Sequence, residues 1–263
     1  MNTDWLKSRR AALLGSRPAQ ESFNILVYGP IGTGKSSLIV TCRQPIYVFS
    51  FDPGGTKLAA MEKLESEGRA ILDTQYEVED MKHPTAFAAF DRTCDEMDKA
   101  GAWPSIGTVA VDSLTTLCDA TMNFILKKEG RAGQTPQIQD YLILQTMLGQ
   151  VVRRLSALPC DFVLTGHINV IQDQLTSRIM TALAIPGRNP EKIPVLFDEV
   201  LYSDVTVDAK KNVTYRLQLQ GDGKHRTSTR RFSGDNFESY EVPDVMALRA
   251  KAGKAVDHLP PIM

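Results

Sequence analysis

Short and nearly continuous apolar runs alternate with longer amphipathic stretches through the first two thirds of the chain. A continuous apolar run is typical of a strand buried on both faces, and apolar residues spaced by three and four positions are typical of a helix. This alternation predicts a mainly parallel sheet that is covered by helices on both faces. The predicted strands are Asn24–Tyr28, Pro45–Phe51, Thr108–Val111 and Asp161–Thr165, and the predicted helices are Thr56–Glu67, Pro84–Ala100, Ser113–Lys128 and Gln137–Leu158.

The pattern changes after about residue 195, where predicted strands follow one another without intervening helices. Turn-rich segments at residues 208–212 and 221–223 separate these strands, which predicts an antiparallel extension of the sheet. We expect an N-terminal helical segment at residues 1–23, an α/β core at 24–235, and a C-terminal helix and tail at 236–263. The added strands are Glu199–Val207, Val213–Leu219 and Arg226–Phe232.

Two stretches lack a regular pattern and are longer than the usual connection between elements. They cover Lys127–Pro136 and roughly Val170–Pro194. Loops of this length within a compact domain are usually functional or disordered, and we expect a function for both of them.

Composition narrows the possible classes of protein. The chain has 263 residues, of which 43 % are hydrophobic and 23 % charged, as in a globular protein with a sizeable core. It has no apolar run of about 18 residues and no secretion signal, so we expect a cytoplasmic protein without a membrane partner. Four cysteines and four histidines are scattered, which argues against a disulfide framework or a zinc site. The net charge of −1 means that nucleic-acid binding would need a local basic patch.

The segment Gly29–Ser36 reads GPIGTGKS and fits the pattern G-x-x-x-x-G-K-[ST] of a phosphate-binding loop. It follows a predicted strand and opens the predicted helix Lys35–Cys42, as this motif requires. Its backbone N–H groups would face phosphate oxygens, Lys35 would bridge the β- and γ-phosphates, and the Ser36 hydroxyl would ligate Mg²⁺. The alternative is a glycine-rich turn that binds nothing. The expected site for ATP comprises Gly29, Pro30, Ile31, Gly32, Thr33, Gly34, Lys35, Ser36 and Ser37.

Two aspartates that end predicted strands supply further chemistry. Asp112 closes the run IGTVAV, where a carboxylate that holds Mg²⁺ belongs, although an aspartate here could merely cap the next helix. Asp52 ends the run YVFSF and is the best candidate to orient the attacking water. Because the turn sequence Pro-Gly-Gly follows Asp52, this aspartate could instead serve an ordinary turn.

Several motifs, taken in order, resemble the phage RecA-like nucleotide-binding proteins, which are small ATPases that consist of the recombinase core and include phage single-strand-annealing proteins. The resemblance spans residues 24 to about 232 and rests on GPIGTGKSS, FDPGGTK, VAVDSLTTL, LTGHI, LFDEVLY and TRRF. Only the first motif is specific by itself, and the others gain weight from their order and spacing. The resemblance implies a RecA-like P-loop NTPase core, ATPase activity, and a homo-oligomer in the form of a ring or filament.

The resemblance also implies roles for residues outside the phosphate-binding loop. Asp52 falls where RecA-like proteins place their catalytic glutamate, and His167 falls where RecA has a glutamine that senses the γ-phosphate. A structural, hydrogen-bonded histidine is the alternative for His167. The stretch after His167 corresponds to a DNA-binding loop and Lys127–Pro136 to a second mobile loop, but neither contains an aromatic residue, so solvated surface loops are the alternative. Their basic residues are Arg178, Arg188 and Lys192 in the first loop and Lys127, Lys128 and Arg131 in the second.

The densest basic cluster is KHRTSTRR at Lys224–Arg231. Charge on a strand edge could explain this cluster. In RecA-like oligomers, however, a basic residue from this region reaches the γ-phosphate bound to the neighbouring subunit, and Arg230 and Arg231 resemble that pattern. The resemblance therefore implies that one of these arginines stabilises transition-state charge in trans.

These observations support two principal hypotheses. The first is a phage-type RecA-like ATPase that oligomerises and binds single-stranded DNA in recombination or annealing, with a single-strand-binding protein as a further candidate partner. The second is a nucleotide-controlled assembly or adaptor ATPase that acts on protein partners without DNA, which the balanced charge favours. A small-molecule kinase is a third alternative, but the chain shows no arginine-rich lid and no obvious acceptor pocket.

Overall fold

The computed structural model describes residues 3–16, 22–172, 177 and 179–262, and of residues 10–16 it describes only the helical backbone. Within these ranges no helix is long and apolar enough to cross a membrane. The helices are α1 (Thr3–Ser16), α2 (Lys35–Ile39), α3 (Ala59–Ser66), α4 (Ala86–Ala100), α5 (Leu114–Lys128), α6 (Ile138–Ser156), α7 (Asn189–Lys192) and α8 (Val245–Lys251). The strands are β1 (Asn24–Tyr28), β2 (Ile46–Ser50), β3 (Ala70–Asp73), β4 (Thr108–Asp112), β5 (Asp161–Gly166), β6 (Ile168–Gln172), β7 (Ile179–Leu183), β8 (Glu199–Val207), β9 (Val213–Gln218), β10 (Ser228–Thr229) and β11 (Tyr240–Glu241).

The described part of the chain forms one large sheet in the order β11-β9-β8-β1-β5-β4-β2-β3, with β10 paired to β8. The strands from β8 to β3 in this order run parallel to one another. Strands β9 and β10 pair antiparallel with β8, and β11 pairs antiparallel with β9. The predicted α/β class, with a mainly parallel sheet and an antiparallel C-terminal extension, is confirmed. Because β8 is parallel to β1, the antiparallel part begins one strand later than expected.

The central strands β1, β4 and β5 are buried at every position on both faces, which explains why their residues are mainly apolar. Leu26 and Tyr28 of β1 belong to the core cluster that packs under α4, α5 and α6. Ile25 and Val27, which point to the opposite face, belong to the cluster that packs under α2, α3 and α8. Strand β1 thus lies in the centre of the core, and its carboxyl end is held rigidly for the loop that follows.

Most predicted boundaries differ from the observed ones because the cap residues of a helix do not have helical backbone angles. Ser113 and Gln137 were placed inside helices, but both are extended N-cap residues of α5 and α6. The predicted helix Lys35–Cys42 ends at Ile39, and Thr56–Glu67 begins only at Ala59. Strand β3 was missed because it is four residues long and lies half-buried at the sheet edge, where no long apolar run is needed.

The stretch Val170–Pro194 was expected to lack regular structure, and this prediction was wrong. Strands β6 and β7 form a separate antiparallel hairpin, in which Ile168 pairs with Leu183. Arg178, a predicted DNA contact, lies outside the described residues, as do residues 173–176. The distal side chains of the hairpin are exposed, so its sequence lacks the buried and exposed alternation of a strand that packs on a core.

The predicted strand Arg226–Phe232 is also wrong, because only Ser228 and Thr229 pair with β8. The buried Glu199 carboxylate accepts hydrogen bonds from the backbone N–H groups of Arg230, Arg231 and Phe232. These N–H groups are therefore not available for a ladder of sheet hydrogen bonds, and the strand ends after two residues.

All four cysteines are free and buried in the core. Burial raises the pKa of Cys94, Cys118 and Cys160 to about 12, and that of Cys42 well above its usual range. A thiol in such an environment is a small apolar core residue with little nucleophilic character.

Candidate nucleotide site

The phosphate-binding loop joins β1 to α2 at the carboxyl end of the parallel strands. Gly32 and Gly34 have φ angles of 80° and 86°, a conformation that residues with a Cβ rarely adopt. The Ser203 hydroxyl of β8 donates a hydrogen bond of 2.7 Å to the carbonyl oxygen of Thr33. The loop therefore has a defined shape, and β8 holds it from one side.

Lys35 is the first residue of α2, and its side chain is buried over the loop. Its Nζ donates to the carbonyl oxygens of Gly29 at 3.0 Å and Pro30 at 2.6 Å. Burial lowers the pKa of Lys35, while the negative charges of Asp112 and Asp52 oppose this shift. Both carboxylates thus lie close enough to act on the lysine charge, and the phosphate role of Lys35 stays a prediction.

Asp112 ends β4 and is buried beside the loop. Its Oδ1 accepts a hydrogen bond from the Thr165 hydroxyl, whereas its Oδ2 is buried without a partner among the residues that the structure describes. Burial raises the pKa of Asp112, and the nearby hydroxyls of Ser36 and Thr165 lower it in part. Asp112 does not cap α5, because the N-cap position belongs to Ser113.

The residues around Asp112 Oδ2 fit a magnesium ion. The oxygen is unpartnered, the Ser36 hydroxyl lies beside the carboxylate, and a Cβ added to Gly55 would lie only 3.1 Å from Oδ2. Glycine at position 55 thus leaves space next to the free oxygen. The described residues contain no group of three acidic, histidine or cysteine side chains that could hold a metal alone. This agrees with Mg²⁺, which usually binds one or two protein oxygens together with phosphates and water.

Asp52 follows β2, and both of its carboxylate oxygens accept hydrogen bonds. Oδ1 accepts from the hydroxyls of Ser113, at 2.9 Å, and Thr116, while Oδ2 lies 3.0 Å from His167 Nε2. Burial alone would raise the pKa of Asp52, but these three hydrogen bonds outweigh it, so the pKa is lowered. Asp52 is therefore an ionised acceptor whose side chain points to α5 and β5 and not into its own turn.

His167 connects β5 to the β6–β7 hairpin and contacts Asp52. Its Nε2 carries the proton, because an ionised carboxylate can only accept. The backbone N–H of His167 donates to the Thr115 hydroxyl at 3.2 Å, and its carbonyl accepts from the Ala184 N–H at 2.9 Å. The ring is therefore hydrogen-bonded to the candidate catalytic aspartate, while its backbone anchors both ends of the hairpin.

These groups surround one cleft with a volume of about 300 Å³. Tyr215 of β9 forms a wall that the sequence did not indicate, with its ring 3.3 Å from where a Cβ on Gly34 would lie. The ring is half-exposed, so a bound nucleotide can reach it. The cleft is lined by Ile31, Gly32, Gly34, Lys35, Ser36, Ser37, Asp52, Gly55, Leu58, Asp112, His167 and Tyr215.

The basic residues of the two predicted loops differ in whether their side chains are hydrogen-bonded within the protein. Arg131 forms a two-pronged ion pair with the buried Asp140, at 3.0 Å and 2.6 Å, and thereby stabilises the start of α6. The Lys127 amine donates to the carbonyl oxygen of Pro84. Arg188 and Lys192, on the segment after the hairpin, are exposed. Lys127, despite its bond to Pro84, and Lys128 are exposed as well, so each of the two stretches has two exposed cations among the described residues.

The basic cluster Lys224–Arg231 is divided between two ends of the molecule. Its first half is attached to the hairpin, because Thr181 donates its backbone N–H to the Lys224 carbonyl at 3.0 Å and its hydroxyl lies 2.9 Å from His225 Nδ1. The His225 ring also stacks on Tyr202, with ring centroids 3.7 Å apart. Lys224 and Arg226 are consequently exposed at the base of the hairpin.

The second half of the cluster, Arg230 and Arg231, lies at the amino end of β8, beyond Glu199, whereas the cleft lies at the carboxyl end of the same sheet. Arg231 is mostly buried, and it donates to the Ser22 carbonyl at 2.9 Å. The Arg230 side chain is 59 % exposed and lies 3.7 Å from Asp198. The two arginines thus do not reach the cleft of their own chain, and an action on a neighbouring subunit stays a prediction.

The sequence reading did not single out the residues that hold the aspartates in place. Thr116 and Thr165 donate to Asp52 and Asp112, and Gly55 leaves space at Asp112 Oδ2. Gly55 and Thr116 do occur in the motifs FDPGGTK and VAVDSLTTL, which were noted for their resemblance only. A contact between hydroxyls and carboxylates from different strands leaves no local pattern in a sequence.

The fold and the cleft are those of a P-loop nucleotide-binding domain, with the phosphate-binding loop at the carboxyl end of a mainly parallel sheet. A sequence model of the AAA domain family matches residues 21–231, which is most of the chain. The chain therefore belongs to the AAA domain family and is a nucleotide-binding domain of the P-loop ATPase type.

No curated protein matches the chain significantly. Among solved structures, it is similar to a prototypical ATPase from the type III secretion system of pathogenic bacteria, with 13 % identity and a TM-score of 0.47. The similarity covers 69 % of this chain and 51 % of that chain, so this chain spans about half of the secretion ATPase.

Proposed function

We propose that the protein hydrolyses ATP with magnesium and that the bound nucleotide controls its grip on single-stranded DNA, in a homo-oligomer of the kind that acts in phage recombination or annealing. One observation carries this proposal: Lys35, Asp112, Asp52 and His167 surround a single cleft, and the β6–β7 hairpin begins directly after His167.

Each of these residues has a distinct task in the proposal. Lys35 exchanges its two loop carbonyls for the β- and γ-phosphates. Asp112 and Ser36 hold Mg²⁺, which when bound neutralises negative charge on the phosphates. Asp52 orients the attacking water through a lone pair of Oδ2 that His167 leaves free, since a carboxylate oxygen accepts more than one hydrogen bond.

The DNA part of the proposal is supported by the charges near the hairpin. Lys224 and Arg226 are exposed at its base, and Arg188 and Lys192 are exposed on the segment after it. Lysine and arginine contacts to phosphates give binding that does not depend on sequence. Because His167 links Asp52 to the hairpin, a change around the γ-phosphate has a short route to these cations.

The test is the rate of ATP hydrolysis in Mg²⁺, with and without single-stranded DNA. We expect magnesium-dependent turnover that DNA changes, and loss of turnover in Lys35→Ala with little change in thermal unfolding, because Lys35 acts chiefly on ligand charge. The matched control is Lys99→Ala, which removes an exposed lysine on α4. Undiminished turnover in Lys35→Ala, or none in the parent protein under either condition, would contradict the proposal.

The hairpin surface favours a second candidate function, control of a protein partner by the bound nucleotide. Val170 and Ile179 are exposed on one face of the hairpin and Ile171 on the other, and none is an aromatic residue on which a base could stack. If the second function holds, DNA leaves the parent rate unchanged, and Val170→Thr with Ile179→Thr does not affect turnover. If DNA changes the turnover of the parent protein and the double substitution abolishes this change, the hairpin serves DNA binding and the first function holds.

A further inference from the structure

Glu77 lies in the turn after β3 and does not line the cleft, yet its carboxylate holds the turn that carries Asp52. Its Oε1 accepts a hydrogen bond of 2.7 Å from the Ser50 hydroxyl, two residues before Asp52. Its Oε2 accepts one of 3.0 Å from the Gly54 N–H, two residues after Asp52. A single side chain thus fixes the segment on both sides of the candidate catalytic aspartate.

The position of Glu77 is itself rigid, because the residue before it is part of the aromatic core. Tyr76 is buried and stacks on Phe51, with ring centroids 5.1 Å apart, and it contacts Phe49 and Phe90 edge-on or tilted. The two hydrogen bonds of Glu77 therefore connect the Asp52 turn to a part of the molecule that cannot move independently.

The same turn also sets the space at the proposed magnesium position. Gly55 follows the Gly54 N–H that Glu77 binds, and the Gly55 N–H donates to the Asp52 carbonyl at 2.9 Å. The Gly55 Cα faces Asp112 Oδ2, since a Cβ there would approach this oxygen to 3.1 Å. Movement of the turn would therefore displace the Asp52 carboxylate and narrow or open the space beside Asp112 together.

We propose that Glu77 is a positioning residue for hydrolysis, which acts by holding the Asp52–Gly55 turn in register with Asp112. This inference rests on the proposed ATPase function. Because Glu77 does not line the cleft, we expect its removal to change chemistry and magnesium dependence more than nucleotide affinity.

The experiment compares Glu77→Ala, Glu77→Gln and the control Glu96→Ala, which removes an exposed glutamate on α4. We expect Glu77→Ala to lower kcat and weaken magnesium activation by roughly tenfold or more, as losses of outer partners of metal ligands do. Affinity for ATP without magnesium should stay within about threefold of the parent value, because the loop and Lys35 remain intact. Equal losses of affinity and kcat would overturn the proposal.

Glu77→Gln is the conservative rescue. The glutamine oxygen can accept from the Gly54 N–H, while its amide N–H₂ donates to the Ser50 hydroxyl, which can reverse its role. We therefore expect this variant to regain most of the parent kcat. A glutamine variant as impaired as the alanine variant would contradict a role based on these two hydrogen bonds.

A double substitution shows whether Glu77 acts through Asp52. In a protein that already carries Asp52→Asn, Glu77→Ala should lower kcat by less than about threefold further, since effects of residues that act as a unit are not additive. If Glu77→Ala lowers kcat as much in the Asp52→Asn protein as it does in the parent protein, the inference is overturned. If Glu77→Ala fails to fold, Ser50→Ala removes one of the two hydrogen bonds and is expected to give a smaller loss of the same kind.

The two proposals fail in different ways. A parent protein without turnover would refute the proposed ATPase function. The role of Glu77 at the magnesium position can then still be measured as the increase in ATP affinity that Mg²⁺ causes. Weaker magnesium enhancement in Glu77→Ala than in Glu96→Ala would support the inference in that case as well. Identical magnesium enhancement in these two variants would refute it, whatever the parent rate.

Discussion

Two carboxylates that share a cleft with the phosphate-binding loop are held in opposite ways. Asp52 receives three side-chain hydrogen bonds, which lower its pKa against the effect of burial. Asp112 has one oxygen without a hydrogen-bond partner among the described residues, and burial raises its pKa. An unsatisfied buried carboxylate costs free energy, of order 1–3 kcal/mol for a missing hydrogen bond, unless a cation completes its environment. The difference fits a water-orienting role for Asp52 and a cation-binding role for Asp112.

A substitution at Gly55 tests the space beside Asp112 without removing any functional group. In Gly55→Ala the new methyl group crowds Asp112 Oδ2, so we expect magnesium activation to weaken by roughly tenfold while magnesium-free nucleotide binding is retained. Titration of turnover with Mg²⁺ measures this effect. The control is Gly149→Ala on α6, where a Cβ would meet open space. A Gly55→Ala protein with parental magnesium dependence would place the metal elsewhere.

Glu199 makes stability depend on pH in a defined direction. Burial raises its pKa from 4.5 to about 7, and the backbone N–H groups of residues 230–232 oppose this only in part. Between these pH values the folded chain binds more protons than the unfolded chain, so the free energy of unfolding falls as pH rises, by up to about 3 kcal/mol.

This contribution is measured by thermal unfolding of the parent protein and of Glu199→Gln at a series of pH values, because the glutamine side chain does not titrate. We expect the parent protein to lose its advantage over the glutamine variant as pH rises from about 4.5 to 7. A constant difference between the two unfolding curves over this range would show that Glu199 is ionised throughout.

The elements that the sequence predicted well are those whose buried faces force a pattern. Strands β1, β4 and β5 are buried at every residue, and their apolar runs mark them clearly. Strand β10 ends where Glu199 accepts hydrogen bonds from the following backbone, and the distal residues of the β6–β7 hairpin are exposed, so no long hydrophobic period records these strands. The cleft follows the same rule: the loop motif and the strand-ending aspartates could be predicted from the sequence. Tyr215 and Gly55, which line the cleft, and Glu77, which supports it from outside, are placed by contacts between separate segments of the chain.

The attachment of Lys224 and His225 to the hairpin gives a prediction for DNA binding by Lys224 and the neighbouring Arg226, both of which are exposed. Lys224→Ala with Arg226→Ala should weaken binding to single-stranded DNA and reduce the slope of log affinity against log salt by about 1.4, from about 0.7 per phosphate contact. The matched control is Arg92→Ala with Lys99→Ala, which removes two exposed cations from α4. The slope is measured by DNA-binding titrations over a range of salt concentrations. An equal change of slope in both double variants would mean that only net charge matters.

At the scale of the whole molecule, the residues of the cleft and the two candidate arginines lie at opposite ends of the strands of the sheet. The cleft is at the carboxyl ends of β1, β2, β4 and β5, while Arg230 and Arg231 are at the amino end of β8. A chain in isolation therefore cannot bring Arg230 or Arg231 to its own phosphates, and a site shared through either arginine would require a neighbour. Arg230 is the better candidate because Arg231 is used to hold Ser22 and Phe23.

Mixing two inactive variants tests for a shared site. Arg230→Ala keeps the cleft and Lys35→Ala keeps the arginine, and we expect each alone to fall by about 100-fold or more in turnover. In an equal mixture, about one quarter of the interfaces combine an intact cleft with an intact arginine, so about a quarter of the parental rate should return. The measurement is ATPase rate against mixing ratio, with assembly followed by light scattering. A flat, inactive profile in an assembled mixture, or full activity of Arg230→Ala alone, would rule out this arrangement.

The burial of all four cysteines makes the native chain nearly inert to thiol-directed probes. A cysteine introduced on the surface would then be labelled selectively, without removal of the natural ones. Lys99, exposed on α4, and Val170, 66 % exposed on the hairpin, are suitable positions for a pair of spin labels or fluorophores. The distance between the two labels, recorded as ATP is added and consumed, would report directly whether the hairpin moves with the state of the nucleotide.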